Sequence, residues 1–219
     1  SGLLNLGSSN AFFGARSGQE NKQGQENSFF GSSAGQNNVT GNGNSFFGYF
    51  AGNATTTGNE NSFFGNRSGQ VNTSGAFNSF FGTFSGFFNT TGSDNSFFGN
   101  SSGYNNTGGN RNSFFGSQSG RQNTGDDNAF LGSFAGQANT TGNNNSFVGS
   151  LAGQANATGI NNSFMGSRAG HDNIASNNSF FGTEAGRFNT TGANNTFLGR
   201  NAGHDNTAGE VNVFIGVNA

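Results

Sequence analysis

The phrase Asn78-Ser79-Phe80-Phe81-Gly82 decides how this chain is read, because close copies of it recur from one end to the other. Aligned on the first Asn, the copies begin at positions 10, 27, 44, 61, 78, 95, 112, 128, 145, 162, 178, 195 and 212. The interval is 17 residues, shortened to 16 after Asn112 and again after Asn162. A fixed period of this size is the signature of a solenoid, in which each coil buries its apolar side only against its neighbours. The expected fold is an all-β solenoid of about thirteen coils, one continuous domain over residues 1–219.

Numbering each coil from the Asn of the phrase, positions 1, 3 and 5 are Asn, Phe and Gly in all thirteen copies. Position 4 is always apolar, as in Phe81, Leu131, Val148, Met165 and Ile215, and position 8 is only Ser or Ala. Position 9 is Gly in every complete coil, and position 12 is Asn except at Thr55. Ser-Phe-Phe flanked by Gly reads as a short strand ended by a turn. Two or three such strands per coil, stacking at about 4.8 Å, give a body roughly 60 Å long. Gly at positions 5 and 9 fits corners where φ is positive or a Cβ has no room. Asn at positions 1 and 12 suits ladders of amide hydrogen bonds along the axis, with simple turn formation as the alternative. Comparison of Gly120–Asp127 with Gly136–Asn144 puts the one-residue deletion after position 12, in an exposed Thr-Thr-Gly turn. Positions 6, 7, 10 and 11, which include Tyr49, Arg67, Phe87 and His171, read as outward faces.

The position 3 residues form the expected core ladder: Phe12, Phe29, Phe46, Phe63, Phe80, Phe97, Phe114, Phe130, Phe147, Phe164, Phe180, Phe197 and Phe214. The adjacent position 4 poses a geometric problem, since neighbouring side chains on a strand point to opposite faces. Either the chain bends at the following Gly and both ladders turn inward, or the position 4 ladder lies on the surface. A surface ladder would exceed the apolar patch a monomer normally exposes and would meet another chain, for instance in a three-fold bundle.

The first and last coils are richer in apolar residues than the middle. Leu3, Leu4 and Leu6 stand where other coils carry polar residues, and so do Val211, Val213 and Val217, beside Ile215. These seven residues are the expected end-to-end interface, since a translational contact between subunits generates an open filament. An arbitrary slice of a longer array is the alternative.

With 40 Gly and 28 Phe but no Pro or Cys, the composition excludes collagen and a disulfide framework. The strict return of Phe argues against disorder. A net charge of −2 leaves no basic footprint for nucleic acid, and no apolar run is long enough to span a bilayer as a helix. His171 and His204 share position 10, two coils apart, which reads as solvated turn residues rather than a catalytic pair. No catalytic constellation, cofactor motif or metal-ligand spacing is present, so an enzyme is not expected. A recurrent Thr at position 13 raises ice binding as a minor alternative. The sequons at Asn38, Asn89, Asn139 and Asn189 are candidate glycan sites. Were those Asn residues turned inward, the hydroxyls of Thr90, Thr140 and Thr190 would be the attachment points.

Asn-Ser-Phe-Phe-Gly followed by Ala-Gly and Asn-Thr-Thr-Gly resembles the repeats of bacterial and phage tail-fibre-domain proteins. It is more loosely similar to the heads of trimeric autotransporter adhesins, which use a shorter Asn-Ser-x-x-x-Gly coil. The resemblance implies an extracellular, fibrous, often trimeric β-solenoid used for display or adhesion, although no coiled-coil stalk, anchor or chaperone domain accompanies the repeats here. The expected role is a structural subunit of an extracellular fibre that assembles with itself as a homopolymer. A homotrimeric adhesin or tail-fibre segment that binds a surface glycan or receptor is the alternative.

Overall fold

In a computed structural model, which describes residues 5–219, each Ser-Phe-Phe phrase forms one three-residue strand. The chain divides into two units, Ser1–Arg111 and Asn112–Ala219. The first unit holds β1 (Ala11–Phe13), β2 (Ser28–Phe30), β3 (Ser45–Phe47), β4 (Ser62–Phe64), β5 (Ser79–Phe81) and β6 (Ser96–Phe98). The second holds β7 (Ser113–Phe115), β8 (Ala129–Leu131), β9 (Ser146–Val148), β10 (Ser163–Met165), β11 (Ser179–Phe181), β12 (Thr196–Leu198) and β13 (Val213–Ile215). Within each unit consecutive strands pair in parallel, with position 3 opposite position 3 throughout, as Phe63 opposite Phe80. The fold is an all-β parallel solenoid, without helices among the described residues.

The expectation of two or three strands per coil is corrected to one. The rest of each coil is turn, because the backbone passes repeatedly through positive φ: Gly65 at +140°, Arg67 at +57°, Gly69 at +55° and Phe77 at +57°. Inter-coil bonding continues through those turns. In the coil 61–77, the N–H groups of Ser62, Gly69, Val71 and Thr73 donate to carbonyls of the following coil at 2.8–3.0 Å. Those of Gly65, Arg67 and Phe77 donate to the preceding one over the same range.

The two glycine corners have different causes. A Cβ on Gly69 would run into the ring of Phe63 in its own coil, while one on Gly65 would strike the carbonyl of Gly82 in the next. Inside, the position 3 rings stack face to face; Phe63–Phe80 and Phe147–Phe164 both lie 4.8 Å apart, at 6° and 5°. In the complete coils position 8 is fully buried opposite them, and where it is Ser the hydroxyl donates to a position 3 carbonyl, as Ser68 does to Phe80 at 3.1 Å. Two amide ladders complete the interior. Asn78 Nδ2 donates to Asn61 Oδ1 at 3.1 Å and to the Gly92 carbonyl at 2.8 Å, and Asn89 Nδ2 donates to Asn72 Oδ1 at 2.8 Å. The deletions fall in the turn after position 12: Asn106 closes on the Gly109 carbonyl and Asn123 on that of Gly125, both at 2.8 Å, and Phe114–Phe130 keeps a 4.8 Å spacing.

Burying one Phe contributes about 1.5–3 kcal/mol, whereas ordering a residue costs about 1–2 kcal/mol in backbone entropy. One inward Phe per coil is far from enough, so each coil depends on the backbone and amide ladders it shares with its neighbours.

Candidate interaction surface

Because positions 2 and 4 flank the inward Phe on a strand, they point away from the core. Of the two placements open for position 4, the structure adopts the outer one. In the first unit its side chains form a stack of Phe13, Phe30, Phe47, Phe64, Phe81 and Phe98, with ring centroids 4.7–4.8 Å apart. Phe13 is 62% exposed and the other five are half-buried. In the second unit the same row holds Phe115, Leu131, Val148, Met165, Phe181, Leu198 and Ile215. Where Leu131 and Val148 replace Phe the surface dips into an open hollow of about 470 Å³, bordered by Ser113, Phe115, Ala129 and Ser146. A smaller hollow of about 180 Å³ lies over Val148, Met165 and Phe181.

A second surface runs along positions 7, 10 and 11. Phe87 stacks on Tyr104 at 5.2 Å, Phe88 meets both edge-on, and the Arg67 guanidinium sits 5.9 Å from the Phe84 ring. In the second unit the same rows carry charge. Glu184 Oε1 accepts from Arg168 and Arg187, each at 3.1 Å, and its Oε2 lies 3.8 Å from His204 Nε2. The hydrogen bond from Arg168 holds the Glu184 carboxyl below the usual range, against an opposing effect of burial; the charges of Arg187, Arg168 and His204 act in the same downward direction. His171 and His204 each lie within 2.7 Å of the following Asp. Among the described residues no three or more His, Cys, Asp or Glu side chains group as metal ligands.

Of the residues read as an end-to-end interface, Val211, Val213, Ile215 and Val217 lie at flank positions. Leu3 and Leu4 lie outside the described residues; Leu6 is 84% exposed. Val211, Val213, Ile215 and Val217 occupy positions 17, 2, 4 and 6, which face outward in the interior coils as well, for instance at Phe77, Ser113, Leu131 and Tyr49. In the last coil Asn212, Phe214 and Ala219 hold the inward positions 1, 3 and 8; Phe214 stacks on Phe197 at 4.9 Å and borders a 530 Å³ recess with His204, Asp205 and Asn206.

The sequon asparagines are corrected as glycan sites. Asn38, Asn89, Asn139 and Asn189 are fully buried with their amides bonded inside the coil, so a glycan there would prevent folding. Thr90, Thr140 and Thr190 each donate their hydroxyl to a carbonyl of the next coil at 2.7–2.9 Å, while the adjacent Thr91, Thr141 and Thr191 are exposed. Sequence reasoning did not single out the Gly at position 15. It stands three residues after the position 12 Asn in most 17-residue coils, its carbonyl accepts from both amide ladders, and a Cβ on Gly75 would strike the Gly92 carbonyl.

Comparison with family models, with curated proteins and with solved structures finds no match to this chain. The resemblance to tail-fibre and adhesin repeats therefore rests on the motif and its coil alone.

Proposed function

We propose that this chain is a structural subunit of an extracellular protein fibre, assembling head to tail with further copies of itself, and that its role is mechanical rather than catalytic. The observation that carries the reading is the translational sameness of the coil joints. Within each unit, Thr55 apart, each coil offers one neighbour the same Phe ring, two Asn amides and N–H groups that the opposite neighbour offers it. A surface complementary to its own reverse side propagates without closing. The low net charge and the repetition of one coil along the chain support a scaffold. The position 13 hydroxyls are bonded to carbonyls, which argues against a Thr stripe presented to ice.

Electron microscopy over a concentration series tests this. Filaments many times longer than thirteen coils, with a layer line near 4.8 Å, are expected. Phe214→Asp, which puts a charge on the axial stack, is expected to leave the strands folded by circular dichroism and to shorten the particles to single chains. Particles of single-chain length for the unaltered protein at every concentration would overturn the reading.

An adhesin that meets a surface glycan or receptor is the second reading. The aromatic cluster of Phe84, Phe87, Phe88 and Tyr104, half-buried apart from the exposed Phe88, favours it, since aromatic groups at a surface anchor interfaces.

A further inference from the structure

We infer that the outward strand face pairs side by side with the same face of a second copy of this chain, the two copies running parallel. The inference is independent of head-to-tail stacking, because it uses the flank of the coils rather than their axial surfaces.

The argument starts from the relief of that face. In β2 to β6 it consists of two ladders, the position 2 serines from Ser28 to Ser96 and the position 4 phenylalanines from Phe30 to Phe98. Same-face residues on a strand lie about 6.6 Å apart, so a low Ser trough runs beside a high Phe ridge. The rings stack at 4.7–4.8 Å within 7° of parallel, which makes the ridge regular over five coils. Position 2 and position 4 carry no charged residue in any of the thirteen coils, so nothing on the face resists desolvation or repels a like face.

Ridge and trough make the face self-complementary under one symmetry operation and not under another. A two-fold axis along the solenoid axis lays the Phe ridge of each copy into the Ser trough of the other. A two-fold axis along the strand direction sets ridge on ridge and leaves the troughs facing as a void. Identical ladders that interdigitate at the strand repeat are the geometry of a dry zipper between sheets. The occupant must share the 4.7–4.8 Å period to fill the trough along its length, which a second copy does and an acyl chain or a glycan does not.

Area sets the strength. A three-residue strand is about 10 Å wide and coils repeat at about 4.8 Å, so the first unit by itself offers roughly 300 Å². That is about half of the roughly 600 Å² per partner at which specific interfaces begin. The pairing of single chains is therefore weak and concentration-dependent. The hollow over Leu131 and Val148 makes the first unit the better-packed half.

The test uses the full chain in two triple variants, one with Phe47, Phe64 and Phe81 all changed to Lys, the other with Ser45, Ser62 and Ser79 all changed to Glu. All six positions face outward, and circular dichroism checks that both variants fold. With every chain also carrying Phe214→Asp to block axial stacking, sedimentation velocity is expected to show a dimer for the chain whose outer face is unaltered, which each triple variant loses, with the midpoint moved at least tenfold in concentration. An equimolar mixture of the two is expected to recover the dimer at low salt, because Lys then lies opposite Glu. A mixture that stays monomeric while the unaltered chain dimerises overturns the parallel arrangement. Association that survives both variants overturns the lateral pairing while leaving the stacking reading intact. A chain monomeric up to hundreds of micromolar, or one that instead floats with phosphatidylcholine vesicles, overturns it as well.

Discussion

Thr55 stands where every other complete coil has Asn at position 12, and the consequences are local and visible. Asn38 Oδ1 and Thr55 Oγ1 are both buried without a hydrogen-bond partner, and Asn72 Nδ2 keeps only its bond to Gly75. An amide in place of Thr55 would donate to Asn38 and accept from Asn72, restoring the ladder that runs through Asn89 and Asn106. Each such bond contributes about 0.5–1.5 kcal/mol net. Thr55→Asn is therefore expected to stabilise the first unit by roughly 1–2 kcal/mol, read as a higher denaturation midpoint in urea. A neutral or destabilising result would mean that the ladder adds nothing beyond turn formation.

At the scale of the element, one short strand and its turns share a coil whose sides differ in tolerance. The turn after position 12 already exists in two lengths, and the coils 112–127 and 162–177 keep their Phe stacks at 4.8 and 4.9 Å despite the missing residue. Deleting Thr141 from the coil 128–144 copies that natural variation, and the expected cost is about 1 kcal/mol or less. Deleting Ser133 from the same coil pulls Ala135 and Gly136 out of register with the Phe130 ring, a buried-core disruption expected to cost more than about 3 kcal/mol. Parallel thermal melts decide; equal losses would show that the corner between positions 5 and 9 is as adaptable as the turn.

Seen as a whole molecule, a solenoid is close to one-dimensional, with stability that adds coil by coil. Removing residues 61–77 in one piece keeps the phase of every remaining position, so Phe46 then meets Phe80 as it met Phe63. The expected product folds with one strand fewer, and its urea m-value falls in proportion to the residues lost. Loss of all structure would instead make the first unit one indivisible cooperative block. The same additivity acts on the outer face: any lengthening of the stack adds apolar flank in step with axial ladder, so lateral pairing strengthens with length.

The period, the phrase and the invariant positions were enough to determine a solenoid, its number of coils, the turn that absorbs deletions and the outward faces at positions 6, 7, 10 and 11. They sufficed because each repeat reports the same mechanical demand thirteen times. Position 4 was not legible in the same way: apolar side chains at adjacent positions satisfy an inward bend or an outward ladder equally well in one dimension. The tertiary structure decided it, since the glycine at position 9 and the small residue at position 8 leave room for a single Phe ring per coil, as Gly69 and Ser68 do for Phe63, and the second ring has to stand outside. It also turned the apolar residues of the last coil onto the flank, as at Val213 and Ile215, and buried the sequon asparagines. The direction in which a side chain leaves the coil depends on backbone corners such as the positive φ of Arg67 and Phe77, which residue identity does not announce.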